Sequence, residues 1–173
     1  MTCIVGLEHE HGVTIGGDAA AVEEDQVTTT AVPKVFERGE YLVGFANSFR
    51  AGQLIRFGLN VPPQSCEDDF EHMATAFVKA LEACLKPLPE GESAVLLVGY
   101  RGALYYVDED LHVGRSVHRY EAVGLGGPIA TGSLATSFGS PFARVHGALM
   151  AAMRHSTSVR QPFTILEQPK EQP

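Results

Sequence analysis

The secondary-structure signals of this chain come in blocks: strands, a helix pair, strands again, a second helix pair and a closing strand. Segregated runs of this kind lead to folds in which antiparallel sheets and helices occupy separate layers, whereas a parallel sheet would need strands and helices to alternate. Residues 2–8 (TCIVGLE) and 13–18 (VTIGGD) read as two strands joined by the polar turn His9, Glu10, His11 and Gly12. After a polar stretch, a short strand around residues 34–36 and another over 41–46 flank a turn at Arg38 and Gly39. The pattern then becomes helical over residues 48–57, with Gly58, Pro62 and Pro63 as stop signals.

The second helix is marked by Ser65 and Asp68 as a capping box and by Phe70, Met73, Ala74, Phe77, Leu81 and Cys84 at helical spacing. Strands are expected at residues 94–99, 104–107, 113–117 and 122–124. Helices follow at 128–138 and 141–155, the last with Ser140 as cap and Pro141 in the first turn. A strand over 163–167 precedes a frayed, charged tail at 169–173. No linker or repeat divides the chain, so residues 1–168 are expected to form one domain. Each sheet needs both faces covered. The predicted fold class is therefore α+β, a four-layer αββα sandwich of two mainly antiparallel sheets between helix pairs.

A formal net charge of −8, from 13 basic and 21 acidic residues, argues against nucleic acid, whose binding needs clustered positive charge. No stretch approaches the roughly 20 apolar residues of a membrane span. The first residues lack a basic head with a long apolar run, so a soluble, cytoplasmic protein is expected. Cys3, Cys66 and Cys84 are odd in number and without metal-type spacing, and read as reduced thiols. The acidic runs Glu23-Glu24-Asp25, Glu67-Asp68-Asp69 and Asp108-Glu109-Asp110 read as solvated turns and a helix start, and His9 and His11 as a solvated hairpin tip. No metal and no organic cofactor is expected. GLGGPIA imitates a dinucleotide-binding glycine motif, but lies late in the chain with no suitably spaced acid after it.

Function is carried by the chain start. TCIVGL, GVTIGGD, a lysine at position 34, YLVGFAN and, later, GLGGP resemble the proteasome β-subunit family of N-terminal nucleophile (Ntn) hydrolases. The nearest likeness is to bacterial HslV-type peptidases and to short proteasome-like proteins of actinobacteria and their phages. The resemblance assigns the catalytic positions to Thr2, Asp18 and Lys34, spaced 16 positions from the first to the second and 16 more to the third. It implies a nucleophile exposed when Met1 is removed, which is expected before a residue as small as Thr2.

The chemistry fits these residue types. A threonine hydroxyl is a weak nucleophile and must lose its proton to a nearby base. The α-amine of a first residue, with an ordinary pKa of about 7.7 to 8, would serve as that base. Lys34 would act as a fixed cation beside Thr2, and Asp18 would hold the ammonium in place. By the same resemblance the backbone amide of Asn47, where relatives carry glycine, would donate to the oxyanion. Ala21, Val32 and Ala46 would line a substrate pocket whose small apolar walls suit a small or apolar side chain.

Two positions depart from the family pattern. Leu125 stands where the family has a serine that contacts the amine. His155 and Ser158 align with an aspartate and a serine near that amine, and His155 would be able to relay a proton. Cys3 would be second after processing and should face away from Thr2 into the core. The implied function is peptide-bond hydrolysis through an acyl-enzyme on Thr2. A homo-oligomeric ring would act on peptide or unfolded protein substrates, with an ATPase unfoldase ring as a further partner class. Two alternatives stay open: an inactive proteasome-fold assembly subunit, and an Ntn acylase acting on small amides.

Overall fold

The computed structural model describes residues 2–23, 26–64 and 66–170, the side chain of Glu23 excepted. It begins with a hairpin, β1 (Ile4–His9) and β2 (Gly12–Gly17), with Ile4 opposite Gly17 and His9 opposite Gly12. A second, two-stranded hairpin follows, β3 (Ala20–Glu23) and β4 (Gln26–Thr29). Next come β5 (Val35–Arg38), β6 (Tyr41–Asn47), α1 (Phe49–Gly58), α2 (Asp69–His72), a π-helical turn (Met73–Phe77) and α3 (Val78–Leu85). The second half contains β7 (Ala94–Tyr100), β8 (Ala103–Val107), β9 (Val113–Gly114), β10 (Tyr120–Val123), α4 (Gly127–Thr136), α5 (Pro141–His155) and β11 (Thr164–Pro169).

Two antiparallel sheets result, ordered β10-β1-β2-β11 and β5-β6-β7-β8-β9. Alternation along the strands divides the core into three apolar layers. Cys3, Val5 and Leu7 pack against Ala130 and Leu134 of α4 and Val145, Ala148, Leu149 and Ala152 of α5. Ile4, Val13, Ile15, Val35, Leu42, Ala46, Leu97 and Leu104 fill the space between the sheets. Tyr41, Val43 and Phe45 turn the other way, toward Ala51 and Ile55 of α1 and Phe77 and Leu81 of the next helices. Each such Leu, Ile or Val contributes about 1.5–3 kcal/mol by leaving water. This is the expected four-layer arrangement.

The local signals placed most elements within a few residues. Ser48 caps α1 by accepting from the Ala51 amide, and Ser140 caps α5 by accepting from the Ala143 amide, with Pro141 in the first turn. Several expectations need correction. The turn between β5 and β6 is Gly39-Glu40, because Arg38 already pairs with Tyr41. Asp68 caps α2, accepting from the Glu71 amide; Ser65 lies outside the described residues. The strand expected over 113–117 shortens to two residues, because the chain turns where the Arg119 amide meets the Ser116 carbonyl.

The polar stretch before Lys34 contains β3 and β4, whose outer strand is solvent-exposed throughout and so lacks the burial alternation that marks a strand in sequence. His72, on the last turn of α2 ahead of the π-helical turn, is buried while Ala74 faces solvent. The His72 ring meets the Tyr41 hydroxyl at 2.7 Å. At the end, β11 runs on to Pro169 opposite Gly12, and the Lys170 amide bonds to the His11 carbonyl, so the tail leaves the sheet later than expected. Residues 171–173 lie outside the described residues.

Candidate active site

The site forms where the β1–β2 register meets the entry to β5. Because Ile4 pairs with Gly17, the next residue on each strand, Cys3 and Asp18, also face one another, and the Asp18 amide donates to the Cys3 carbonyl at 3.2 Å. Thr2 is therefore carried to within one residue of Asp18. Lys34 immediately precedes β5, and its carbonyl accepts from the Phe45 amide on β6 at 3.1 Å. Hairpin and second sheet thus converge on one point.

At that point Lys34 Nζ donates to Thr2 Oγ1 at 2.9 Å and to Asp18 Oδ1 at 2.8 Å. All three residues are buried, at 3% exposure for Thr2, 2% for Asp18 and 1% for Lys34. Asp18 is held by more than the lysine. Its Oδ1 also accepts from the Cys3 amide at 3.0 Å, and its Oδ2 from the Ala20 amide at 2.9 Å and the Arg160 amide at 3.2 Å. Burial lowers the Lys34 pKa from 10.5, while the charge of Asp18 and its hydrogen bond oppose that shift. The Phe49 ring lies 5.6 Å from Nζ, close enough for its π face to favour a cation.

The glycines of GLGGP serve the chain start. The Gly126 amide donates to the Thr2 carbonyl at 3.3 Å, and Gly124, at φ 87°, comes so close that a Cβ there would lie 2.2 Å from that carbonyl oxygen. Leu125 stands between them with 61% of its surface exposed. Cys3 faces the α4–α5 layer as expected, and burial pushes its thiol up to about 12.

Asn47 ends β6 in the left-handed conformation, φ 78°, and its Nδ2 donates to Glu109 Oε1 at 2.6 Å. That conformation favours glycine, with asparagine next most tolerant. Ser158 is buried on the loop that supplies the Arg160 amide to Asp18. His155 is exposed on the last turn of α5 and stands outside the Thr2–Asp18–Lys34 cluster.

A cavity of about 260 Å³ adjoins the cluster, lined by Ala21, Thr30, Val32, Pro33 and Phe45 together with the α1 residues Phe49, Gly52, Gln53, Arg56 and Phe57. Two of the three expected pocket residues, Ala21 and Val32, line it. Ala46 does not, because alternation along β6 turns it between the sheets while Phe45 reaches the cavity. The α1 wall was missed, although its residues 49, 52, 53, 56 and 57 share one helical face and this spacing was available in the sequence. The amides of Cys3, Ala20 and Arg160 carry no side-chain signal and were also missed.

Elsewhere, Asp108, Asp110 and Leu111 shape a turn, Asp69 pairs with Arg101 at 3.3 Å, and His11 meets Glu10 at 3.0 Å on an exposed tip. Glu24 and Asp25 lie outside the described residues. Among the described residues, no group of three or more His, Cys, Asp or Glu is placed to hold a metal, and no helix is long and apolar enough to cross a membrane.

No family model and no curated protein matches the sequence. Solved structures do match the fold. BPH of Thiobacillus denitrificans, in its complex with epoxomicin, aligns with TM-score 0.82 at 17% identity over 98% of this chain and 100% of BPH. Eukaryotic HslV from Trypanosoma brucei aligns with TM-score 0.69 at 15% identity over 95% of this chain and 98% of HslV. Anbu from Pseudomonas aeruginosa, described as a helical assembly, aligns with TM-score 0.69 at 15% identity over 95% of this chain and 80% of Anbu. The chain therefore has the α+β proteasome-like Ntn fold that these structures share.

Proposed function

We propose that this protein is a threonine peptidase that cleaves peptide bonds through an acyl-enzyme on Thr2, after removal of Met1. The observation that carries this reading is the buried hydrogen bond from Lys34 Nζ to Thr2 Oγ1, made by an ammonium that also binds Asp18. In the proposed reaction the free α-amine of Thr2 takes the hydroxyl proton as Oγ1 attacks the carbonyl carbon of the scissile amide. Lys34 keeps its ammonium donating to Oγ1 and offsets the negative charge that builds there. Asp18, pinned by three backbone amides, fixes the direction of the lysine. The tetrahedral oxyanion is received by the Asn47 amide, and its collapse expels the amine product with the proton first taken from Thr2. Water, deprotonated by the same α-amine, then hydrolyses the ester.

The cavity beside Lys34 receives the substrate side chain next to the scissile bond, and Ser158 helps to order the amine. The helical assembly described for Anbu supports a homo-oligomer that encloses the site, acting on peptides or unfolded protein, with an unfoldase ring as the partner class. A closer kinship with the short proteins of actinobacteria and phages rests on the sequence motifs alone.

The rival is a proteasome-fold assembly subunit without activity. It is favoured by Leu125, whose side chain supplies no hydrogen bond beside Thr2, and by the outlying position of His155. Intact mass followed by incubation with epoxomicin or a peptide boronate separates the two. Protein that has lost Met1 is expected to take up one inhibitor per chain, and Thr2→Ala none. Fully processed protein that takes up neither inhibitor is the structural subunit.

A further inference from the structure

The small residues that the sequence offered as pocket walls, Ala21 and Val32, form only one side of the cavity. The opposite side is one face of α1, where Phe49, Gly52, Gln53, Arg56 and Phe57 follow one another at helical spacing. Phe45 lines the cavity as well. Its ring can press against α1 only because residue 52 is glycine: a Cβ there would lie 2.3 Å from the ring. Phe57 and Phe49 leave 75% and 38% of their surfaces exposed, so the aromatic stripe continues from beside the lysine to the solvent end of the helix.

This cavity is tied to the reacting atoms at three places. Phe49 both lines it and lies 5.6 Å from Lys34 Nζ. Pro33, another lining residue, precedes Lys34, and Ala21 follows Ala20, whose amide binds Asp18. Its one charged lining residue, Arg56, is already engaged. The guanidinium donates to the Pro33 carbonyl at 2.6 Å and lies 4.4 Å from the centre of the Phe36 ring. A substrate carboxylate would have to share a guanidinium already held by the Pro33 carbonyl and the Phe36 ring, and a substrate ammonium would meet a cation and no lining carboxylate. A methyl side chain would leave most of about 260 Å³ unfilled.

Building on the proposed Thr2 chemistry, we infer that the substrate class is peptides with a large apolar or aromatic side chain on the acyl side of the scissile bond, gripped between Phe45, Phe49 and Val32. Even a single methylene changes kcat/KM about tenfold or more in an apolar pocket. Phenylalanine or leucine at this position should therefore exceed alanine by more than about tenfold.

The test uses processed full-length protein with fluorogenic peptides, and with peptide boronates, that differ only in this residue: Phe, Leu, Ala, Lys or Glu. Phe and Leu are expected to lead both the kcat/KM and the inhibition series. Ala21→Leu, which fills the cavity, should reduce the Phe-to-Ala ratio at least about tenfold. Gln53→Glu, which adds a carboxylate to the wall, should raise cleavage after Lys relative to Phe. An active enzyme that prefers Ala, Lys or Glu, or whose preference ignores both substitutions, overturns this assignment and leaves the nucleophile standing. Processed protein that neither cleaves any peptide nor binds any boronate overturns both.

Discussion

The side-chain amide of Asn47 lies 2.6 Å from the carboxylate of Glu109, joining the end of β6 to the loop between β8 and β9 while Asn47 holds a φ of 78°. A left-handed residue other than glycine is strained by about 1–2 kcal/mol, least for asparagine. Asn47→Gly should thus fold as stably as the parent to within about 1 kcal/mol, whereas Asn47→Val should lose about 2 kcal/mol or more. Urea denaturation measures both. If the 47 amide receives the oxyanion, Asn47→Val should also lower kcat with little change in KM.

The Lys34–Asp18 pair predicts an asymmetry between its two partners. Asp18→Ala leaves a buried ammonium without its counter-ion and should cost about 3–5 kcal/mol. Lys34→Met removes the charge and leaves Asp18 on three backbone amides, so its cost should be clearly smaller. Both should abolish inhibitor uptake at Thr2. Denaturation midpoints read the first effect and mass spectrometry the second.

Gly124 tests the contact that seats the chain start. A methyl group added at this position would collide with the Thr2 carbonyl, and the positive φ disfavours any side chain. Gly124→Ala should therefore reduce epoxyketone labelling of Thr2 at least about tenfold. Far-UV circular dichroism should stay that of the folded parent. Labelling at the parental rate would show that Thr2 is seated by other contacts.

Alkaline pH should weaken the fold through its buried acids, Cys3 and Tyr105 among them. Burial holds the Cys3 thiol up at about 12, against 9.0 when free, and burial holds the Tyr105 hydroxyl up at about 12, against 10.0. Above pH 9 the unfolded chain releases these protons while the folded chain keeps them. Their stabilisation is complete below pH 9 and declines from there to about pH 12. Lys34 acts in the opposite sense, since its lowered pKa makes the unfolded chain the better proton binder below 10.5. Cys3→Ala should flatten the fall above pH 9 in urea titrations. In the parent, Cys3 should resist alkylation at pH 8 until the chain unfolds.

Much of this was legible in the linear chain, for reasons that differ by element. The near-continuous apolar runs in TCIVGL and YLVGFAN mark strands with two buried faces, and Ser140-Pro141 marks the start of α5 through local backbone chemistry. The β3–β4 hairpin escaped because its outer strand is exposed on both faces. His72 escaped because a polar residue off the apolar stripe gives no local burial signal, and it is buried by partners distant in the chain, Tyr41 and Tyr100. Thr2, Asp18 and Lys34 were found because the motifs around them resemble a known family, and their side chains do meet. His155, reached by a looser alignment through the end of α5, points to solvent.

The sequence by itself determined the strand and helix periods, the caps, the layer order and the three residue types that the chemistry needs, because each is encoded by neighbours a few residues apart. Only the tertiary structure decided that the Arg160 amide closes the Asp18 site, that α1 walls the pocket with phenylalanines, and that Ala46 turns away from it. Those outcomes depend on contacts between segments distant in the chain. They are settled when sheets and helices pack, where burial selects one face of each element over the other.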